Sequence, residues 1–254
     1  MNRWAKLVWV GLGFCSSQAA LAQSQDLKRS VAVAHTQESL SNGSPDWREL
    51  ELRVGQRLTP QNAWGLGVRQ TRRFGLDDTT LEATYSAPLA SGWVGTLEGG
   101  FSPDHRVMPS SSLSANLQYE FAPAWLVHLG AKSTQYDTGP VSQASLMLER
   151  YISSFSVLAA WRPARALGAD AQTSEIRFNY YYGDKSQLGL SYAKGQEATP
   201  VGAALTVLAD IESAALTGKH GLGGPWTLAY ALTSVRQGNF YTRSGFRIGV
   251  EHAF

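Results

Sequence analysis

Little in this sequence can be cross-linked, ligated or threaded through a bilayer as a helix. It contains one cysteine, Cys15. That residue lies in a segment reading as a secretory signal: Arg3 and Lys6 form a basic start, and Leu7 to Phe14 is a short apolar stretch. Ala20-Leu21-Ala22 then offers an A-x-A-like cleavage site before Gln23. The apolar stretch is too short to span a hydrocarbon core of ~30 Å as a helix. Phe14 also makes a poor neighbour for Cys15 as a lipidated residue. Cleavage after Ala22 leaves no cysteine, so neither disulfides nor a cysteine metal site supports fold or function. The expected organisation is a signal over 1–22, a short segment over 23–29 and one domain over 30–254.

Excess charge is missing too. The chain has 22 Lys and Arg against 20 Asp and Glu, and Arg3 and Lys6, which leave with the signal, account for the difference. A formally neutral mature chain argues against nucleic acid as a partner. Beyond the signal no run approaches the roughly 18 apolar residues that a transmembrane helix needs. Sustained three-four spacing is absent as well. A β-barrel remains open, because only alternate residues of its strands meet lipid.

What the sequence has is alternation. Leu50, Leu52, Val54 and Leu58 oppose Glu49, Glu51, Arg53 and Arg57. Leu113, Ala115, Leu117, Tyr119 and Phe121 oppose Ser112, Ser114, Asn116, Gln118 and Glu120. Ile176, Phe178, Tyr180 and Tyr182 oppose Glu175, Arg177, Asn179 and Tyr181. The last segment begins at Gly245 and sets Phe246, Ile248, Val250 and Phe254 against Arg247, Gly249 and Glu251. Soluble chains seldom stop on an aromatic in mid-strand, because termini fray. A closing strand ending on Phe254 suits an outer-membrane barrel, with these outward residues as its insertion signal.

Period-two segments fall at 30–40, 47–58, 62–73, 78–88, 92–102, 111–122, 124–134, 140–151, 153–162, 172–182, 186–195, 205–217, 225–236 and 242–254. The expected fold is therefore an all-β, antiparallel, up-and-down transmembrane barrel of about 14 strands, an even number as such barrels require. The segments 140–151 and 205–217 are the weakest; losing one hairpin would leave 12 strands. The second, sixth, eighth and tenth connections are tight (Thr59-Pro60-Gln61, Pro123, Ile152 and Gly183-Asp184-Lys185). The fifth, seventh, ninth and eleventh look longer, as at Pro103–Ser110, Pro163–Ala171 and Gln196–Ala204. Short periplasmic turns and longer external loops are the barrel rule. The twelfth connection, Gly218–Gly224, breaks it.

Aromatics near strand ends (Trp47, Trp64, Trp93, Phe121, Trp125, Trp161, Trp226 and Tyr230) suggest interfacial girdles. A soluble sandwich shows similar alternation but usually has about seven to nine strands. The location expected is the outer membrane of a Gram-negative bacterium, among its lipids and lipopolysaccharide, with the barrel assembly machinery as a partner.

Several short motifs then point to a family. Asp46-Trp47-Arg48, Arg72-Arg73-Phe74-Gly75, Phe101-Ser102-Pro103-Asp104 leading to Pro109, Tyr181-Tyr182-Gly183-Asp184 and terminal Phe254 occur in this order. Together they resemble the YaiO family of outer-membrane β-barrel proteins, from about Ser30 to Phe254. The resemblance implies a barrel without an established activity. Related barrels serve as membrane modules of some exopolysaccharide-export systems, sometimes behind helical repeats. This sequence shows no such repeat, so the resemblance implies a separate periplasmic glycan-export partner, or none.

With the polar face inward, Glu49, Glu51, Arg53, Arg57, Arg69, Arg73, Glu120, Glu175, Arg177, Tyr181 and Arg247 are lumen candidates. Glu98, Asn116, Gln118, His128, Lys132, Glu149, Arg243 and Glu251 share that phase. Both signs are mixed, so no strong ion selectivity is expected. Pairing of wall charges across strands is the plainer reading; a polar track for a hydrated glycan is the sharper one, with Tyr181 as a stacking surface. Arg53, Arg57, Arg69 and Arg73 could form a basic ladder for an anion or a lipopolysaccharide phosphate, although pairing with Glu49 and Glu51 is the favoured reading.

Catalysis would need a nucleophile beside a base, or a carboxylate pair holding water. The adjacent pairs Asp104-His105 and Glu251-His252 do not supply this, because neighbours on an extended chain point apart. Asp77-Asp78 reads as solvated turn chemistry rather than a calcium site. No catalytic residue, metal site or cofactor is expected. The sequence therefore favours a non-catalytic conduit or docking barrel for exopolysaccharide or small polar solutes. A rim enzyme acting on lipid and a closed structural or surface-interaction barrel are the alternatives.

Overall fold

The computed structural model describes residues 28–166, 168–183, 185–200 and 206–254. The signal, its cleavage residues Ala20 and Ala22, most of the segment over 23–29, and Asp184 of the Tyr181-Tyr182-Gly183-Asp184 motif lie outside the described residues.

Fourteen antiparallel strands close into one barrel in which each strand pairs with its neighbours in sequence and β1 pairs with β14. They are β1 (Lys28–Leu40), β2 (Trp47–Thr59), β3 (Asn62–Arg73), β4 (Leu76–Ala90), β5 (Trp93–Phe101), β6 (Ser111–Ala122) and β7 (Trp125–Tyr136). Around the other half run β8 (Gly139–Ile152), β9 (Phe155–Ala166), β10 (Ala169–Tyr182), β11 (Ser186–Pro200), β12 (Thr206–Gly223), β13 (Trp226–Gln237) and β14 (Tyr241–Ala253). The twelve-strand option is thereby excluded. Closure matters because an unpaired strand edge cannot be left in hydrocarbon. It runs from Ser30↔Ala253 to Leu40↔Arg243 and is sealed by reciprocal backbone hydrogen bonds between Arg29 and Phe254 at 3.0 and 2.9 Å.

The end of the barrel that carries both chain ends has only tight turns, such as Pro60-Gln61, Ser91-Gly92, Pro123-Ala124 and Gly224-Pro225. This is the periplasmic end by the turn rule. Two expectations about connections change. The seventh and ninth are not long loops: β7 and β8 run to Tyr136 and from Gly139, β9 to Ala166 and β10 from Ala169. Polar residues at the external end continue the ladder as extended hairpins instead of leaving it. Alternation in polarity faded there while backbone pairing did not. The twelfth connection is also tight, because β12 continues through the glycine-rich stretch to Gly223, across an irregularity between Gly221 and Gly223.

Outward residues form the lipid face. Leu50, Leu52, Leu66, Leu81, Leu113, Leu190 and Leu232 are each near half-exposed, which in a bilayer means contact with acyl chains. Aromatics crowd its periplasmic margin. Trp93 stacks on Tyr119 (4.4 Å between centroids), Phe155 on Tyr180 (4.9 Å), and Arg150 lies 4.5 Å over Trp125. Gly218 lacks the side chain that would collide with the Tyr230 ring, which lets Tyr230 hydrogen-bond His220 at 3.2 Å; Tyr182 reaches the other nitrogen of that imidazole. Trp47 corrects the girdle reading. It is 1% exposed and faces inward, in phase with Glu49 and Glu51.

Candidate functional site: the lumen

The barrel wall hides the inward side chains, and they divide into three zones. The first is an ion-pair lattice on β14, β1, β2, β3 and β4. Glu51, 2% exposed, sits at its centre: Arg247 donates to it at 2.8 Å, Arg53 contacts it, and Arg69 approaches to 3.9 Å. Arg69 and Arg53 also reach Glu82, at 2.8 and 3.1 Å. Arg73 pairs with Glu49 at 2.6 Å and Arg243 with Glu38 at 3.2 Å. A buried carboxylate is costly unless paired and hydrogen-bonded, and this lattice meets that demand strand by strand. The suggested basic ladder of Arg53, Arg69 and Arg73 is therefore neutralised along its length. Arg57 shares their phase nearer the periplasmic end, exposed and engaged by other groups.

The second zone faces it from β7 to β10. Glu175 receives Arg162 at 2.6 Å and Arg177 at 2.7 Å. His128 and Glu149 lie 3.2 Å apart, both buried. Towards the periplasm, Tyr151 and Tyr181 bring their rings to 5.9 Å, the Tyr181 hydroxyl lies 3.3 Å from Ser156 Oγ, and Asn179 donates to Ser156 at 3.0 Å. Polar groups and two phenol rings thus line one side of the inner mouth. Glu251 and Lys219 lie 3.8 Å apart at the same end, both well exposed. Glu120, exposed, accepts from the Ala124 amide at 3.2 Å and braces a periplasmic turn rather than any lumen partner.

The third zone narrows the external end. Leu40, Trp47 and Tyr241 form a buried cluster with Phe74 against it. The guanidiniums of Arg73 and Arg243 lie over the Trp47 ring, 4.6 and 4.8 Å from its centroid, in cation–π contact. On the opposite wall Val141 and Ala166 pack with Tyr136 and Ala169. The Tyr136 hydroxyl lies within electrostatic reach of Arg73 of β3 and Glu197 of β11.

Asp78 is the clearest correction to the sequence reading. It is 1% exposed rather than a solvated turn residue. Its carboxylate accepts the backbone amides of Arg106, Val107 and Met108 at 3.0, 2.6 and 2.7 Å, tying the 102–110 connection to β4. Asp77 points the other way and takes both Nε and a terminal nitrogen of Arg72 at 2.7 Å.

Sequence reasoning missed Glu38, Glu82, Arg162 and Tyr151 as lattice members, and the phase of their strands carried the signal for each. The five histidines are placed too, and among the described residues none is hydrogen-bonded to a Ser or Thr hydroxyl. His35 faces outward beside Phe246, and His252 lies between Trp226 and Phe254. His105 sits 3.3 Å from Asp137 in an external connection, while His128 and His220 have the Glu and Tyr partners given above.

With that geometry in view, comparison with known proteins is informative about the fold. A family model described as "YaiO membrane beta barrel domain" matches residues 28–199. Among solved structures, a "Bacterial polysaccharide outer membrane secretin" superposes with a TM-score of 0.59 at 7% identity, covering 91% of this chain and 100% of that one. A "KdgM porin" superposes with a TM-score of 0.50 at 12% identity, covering 88% and 99%. At such identities the likeness concerns the fold alone. No curated protein matches the sequence.

Proposed function

The chain belongs to the YaiO family of membrane β-barrels and resides in the Gram-negative outer membrane, and on that premise we propose that it is a non-catalytic conduit for hydrated polar solutes, exopolysaccharide segments among them. The observation that carries this reading is the lumen wall itself. Its charges are of both signs and interleaved: the Glu51–Glu82 and Glu175 groups each hold one more guanidinium than carboxylate, while buried Glu149 and Glu197 elsewhere on the inner wall carry the opposite sign. Interleaved charges of opposite sign project little net field, so they attract neither small anions nor cations strongly. The wall still offers carboxylate, guanidinium, amide and phenol groups to a neutral, hydroxyl-rich solute. Tyr151 and Tyr181 add ring surface at the periplasmic mouth, where an exported chain would enter.

Acid–base chemistry receives less support. A general base must lie within hydrogen-bond reach of the proton that it removes, and among the described residues the His128–Glu149 pair has no hydrogen bond to a serine or threonine hydroxyl. A periplasmic partner that delivers a glycan is part of the same proposal. Its support is the wet, aromatic-lined inner mouth.

Flux in proteoliposomes tests the reading. Vesicles carrying the refolded barrel should swell in neutral oligosaccharide faster than empty vesicles. Trp47→Ala should speed this further by thinning the external cluster. Absence of flux from both proteins would overturn the conduit reading and favour a closed barrel.

A further inference from the structure

The lipid-facing side of the external rim carries an arrangement that the lumen reading does not use. Arg48 on β2 and Arg72 on β3 are directly opposite partners in the sheet. Both share the outward phase of Leu50, Leu52 and Val68, just beyond the apolar band. Like charges placed directly across a strand pair repel, and an outward position offers no lumen lattice to absorb them. Asp77 satisfies Arg72 through two of its nitrogens and fixes the guanidinium plane. Arg106, half-exposed, is held beside it, donating to the Asp77 carbonyl with its Nε 3.5 Å from Asp78. Arg48 is exposed and has no acidic partner among the described residues. Arg48 and Arg72 thus face each other across the strand pair, and Arg106 reaches the backbone of the adjoining Asp77, while the Asp78 carboxylate is already committed to the loop amides.

We propose that Arg48, Arg72 and Arg106 form a binding site for a phosphate group on a glycolipid of the outer leaflet. Guanidinium groups match phosphate geometry through paired N–H donors and tolerate partial burial better than an ammonium does. Asp77 and Asp78 orient two of the three in advance, while Arg48 closes on the phosphate from the neighbouring strand. The height of the site sets its occupant. Acyl chains lie against Leu50 and Val68, and the headgroup of the same lipid reaches the arginines. Phosphorylated lipopolysaccharide is the outer-leaflet lipid with that chemistry. The site lies on the outside of the wall, so it holds whether or not the lumen conducts.

The experiment uses the refolded full barrel in detergent with chelator present, so that bridging divalent cations are removed. Purified lipopolysaccharide and the same lipid stripped of phosphate are titrated, and bound lipid is counted by native mass spectrometry. The native protein should hold the phosphorylated lipid and release the stripped one. Arg48→Gln should weaken the phosphorylated lipid about tenfold, as expected for losing a charge-assisted hydrogen-bond pair. Arg72→Lys should weaken it in part, because the paired donors are lost and the charge is kept. Arg165→Gln, at an exposed outward position on β9 across the barrel, should bind as the native protein does. Arg48 makes no ion pair among the described residues, so its variant should fold normally, and heat-modifiable mobility checks that. Equal binding of the stripped lipid, native affinity in Arg48→Gln, or equal stabilisation by inorganic phosphate alone would overturn the proposal.

Discussion

At the scale of single residues, the same side chain has opposite consequences on the two faces of the wall. Leu117 faces lipid and is 38% exposed. Arginine there should cost roughly 2–4 kcal/mol at mid-membrane and less nearer the interface. Urea titration of the folded barrel in bilayers would measure it, and unchanged stability would mean that β6 is turned the other way. Glu51 faces inward. Replacing it with Gln should leave Arg247 and Arg53 short of a counter-charge in a buried setting. A fully buried pair would lose about 3–5 kcal/mol. Arg53 and Arg247 are 53% and 38% exposed, so screening reduces the expected loss to about 1–2 kcal/mol. The same titration checks it, with Glu51→Ala/Arg247→Ala as the double variant that should recover part of the loss. Trp47 belongs at this scale as well: an aromatic at a strand end was expected in the girdle, but its phase with Glu49 sends it inward, where two arginines lie over it.

At the scale of elements, β14 does two things. It presents Phe246, Ile248, Val250 and Phe254 to lipid and closes the ring against β1. Deleting Phe254 removes the terminal backbone pair with Arg29 and the terminal aromatic together. Insertion should fall; normal heat-modifiable mobility of the truncated protein in outer membranes would contradict this. The 102–110 connection rests on Asp78 in a comparable way. Asp78→Ala should release three amides and raise the rate of proteolysis within Pro103–Pro109, with the barrel itself still resistant. Much of this level was legible in the sequence, because period two survives wherever one face meets lipid. Segments such as 111–122 and 62–73 matched their strands at both ends. Legibility failed beyond the membrane, where both faces are wet. The continuations of β7, β9 and β10 carry Gln135, Arg165 and Asp170, whose polarity says nothing about pairing. It failed too for partners between strands. The phase of β2 places Glu51 inward, but only closure of the ring brings Arg247 from β14 to it.

At the scale of the whole molecule, neutrality is the property that unites lumen and function. Beyond residue 22 the chain has as many acidic as basic residues, and the inward charges of both signs are interleaved rather than gathered into one sign. Trp47, Tyr241 and Leu40 cluster at the external end, whereas the periplasmic end keeps exposed Arg57, Lys219 and Glu251. On the proposed conduit reading, a vestibule open to the periplasm with a constriction towards the outside is the expected shape. Planar-bilayer recording of the refolded protein tests this most directly. The native barrel should give small conductance steps with little preference between potassium and chloride, and Trp47→Ala should give larger steps with the same weak preference. Silence from both proteins at every voltage, or strong selectivity for one ion, would contradict a polar conduit with a wall of interleaved charges.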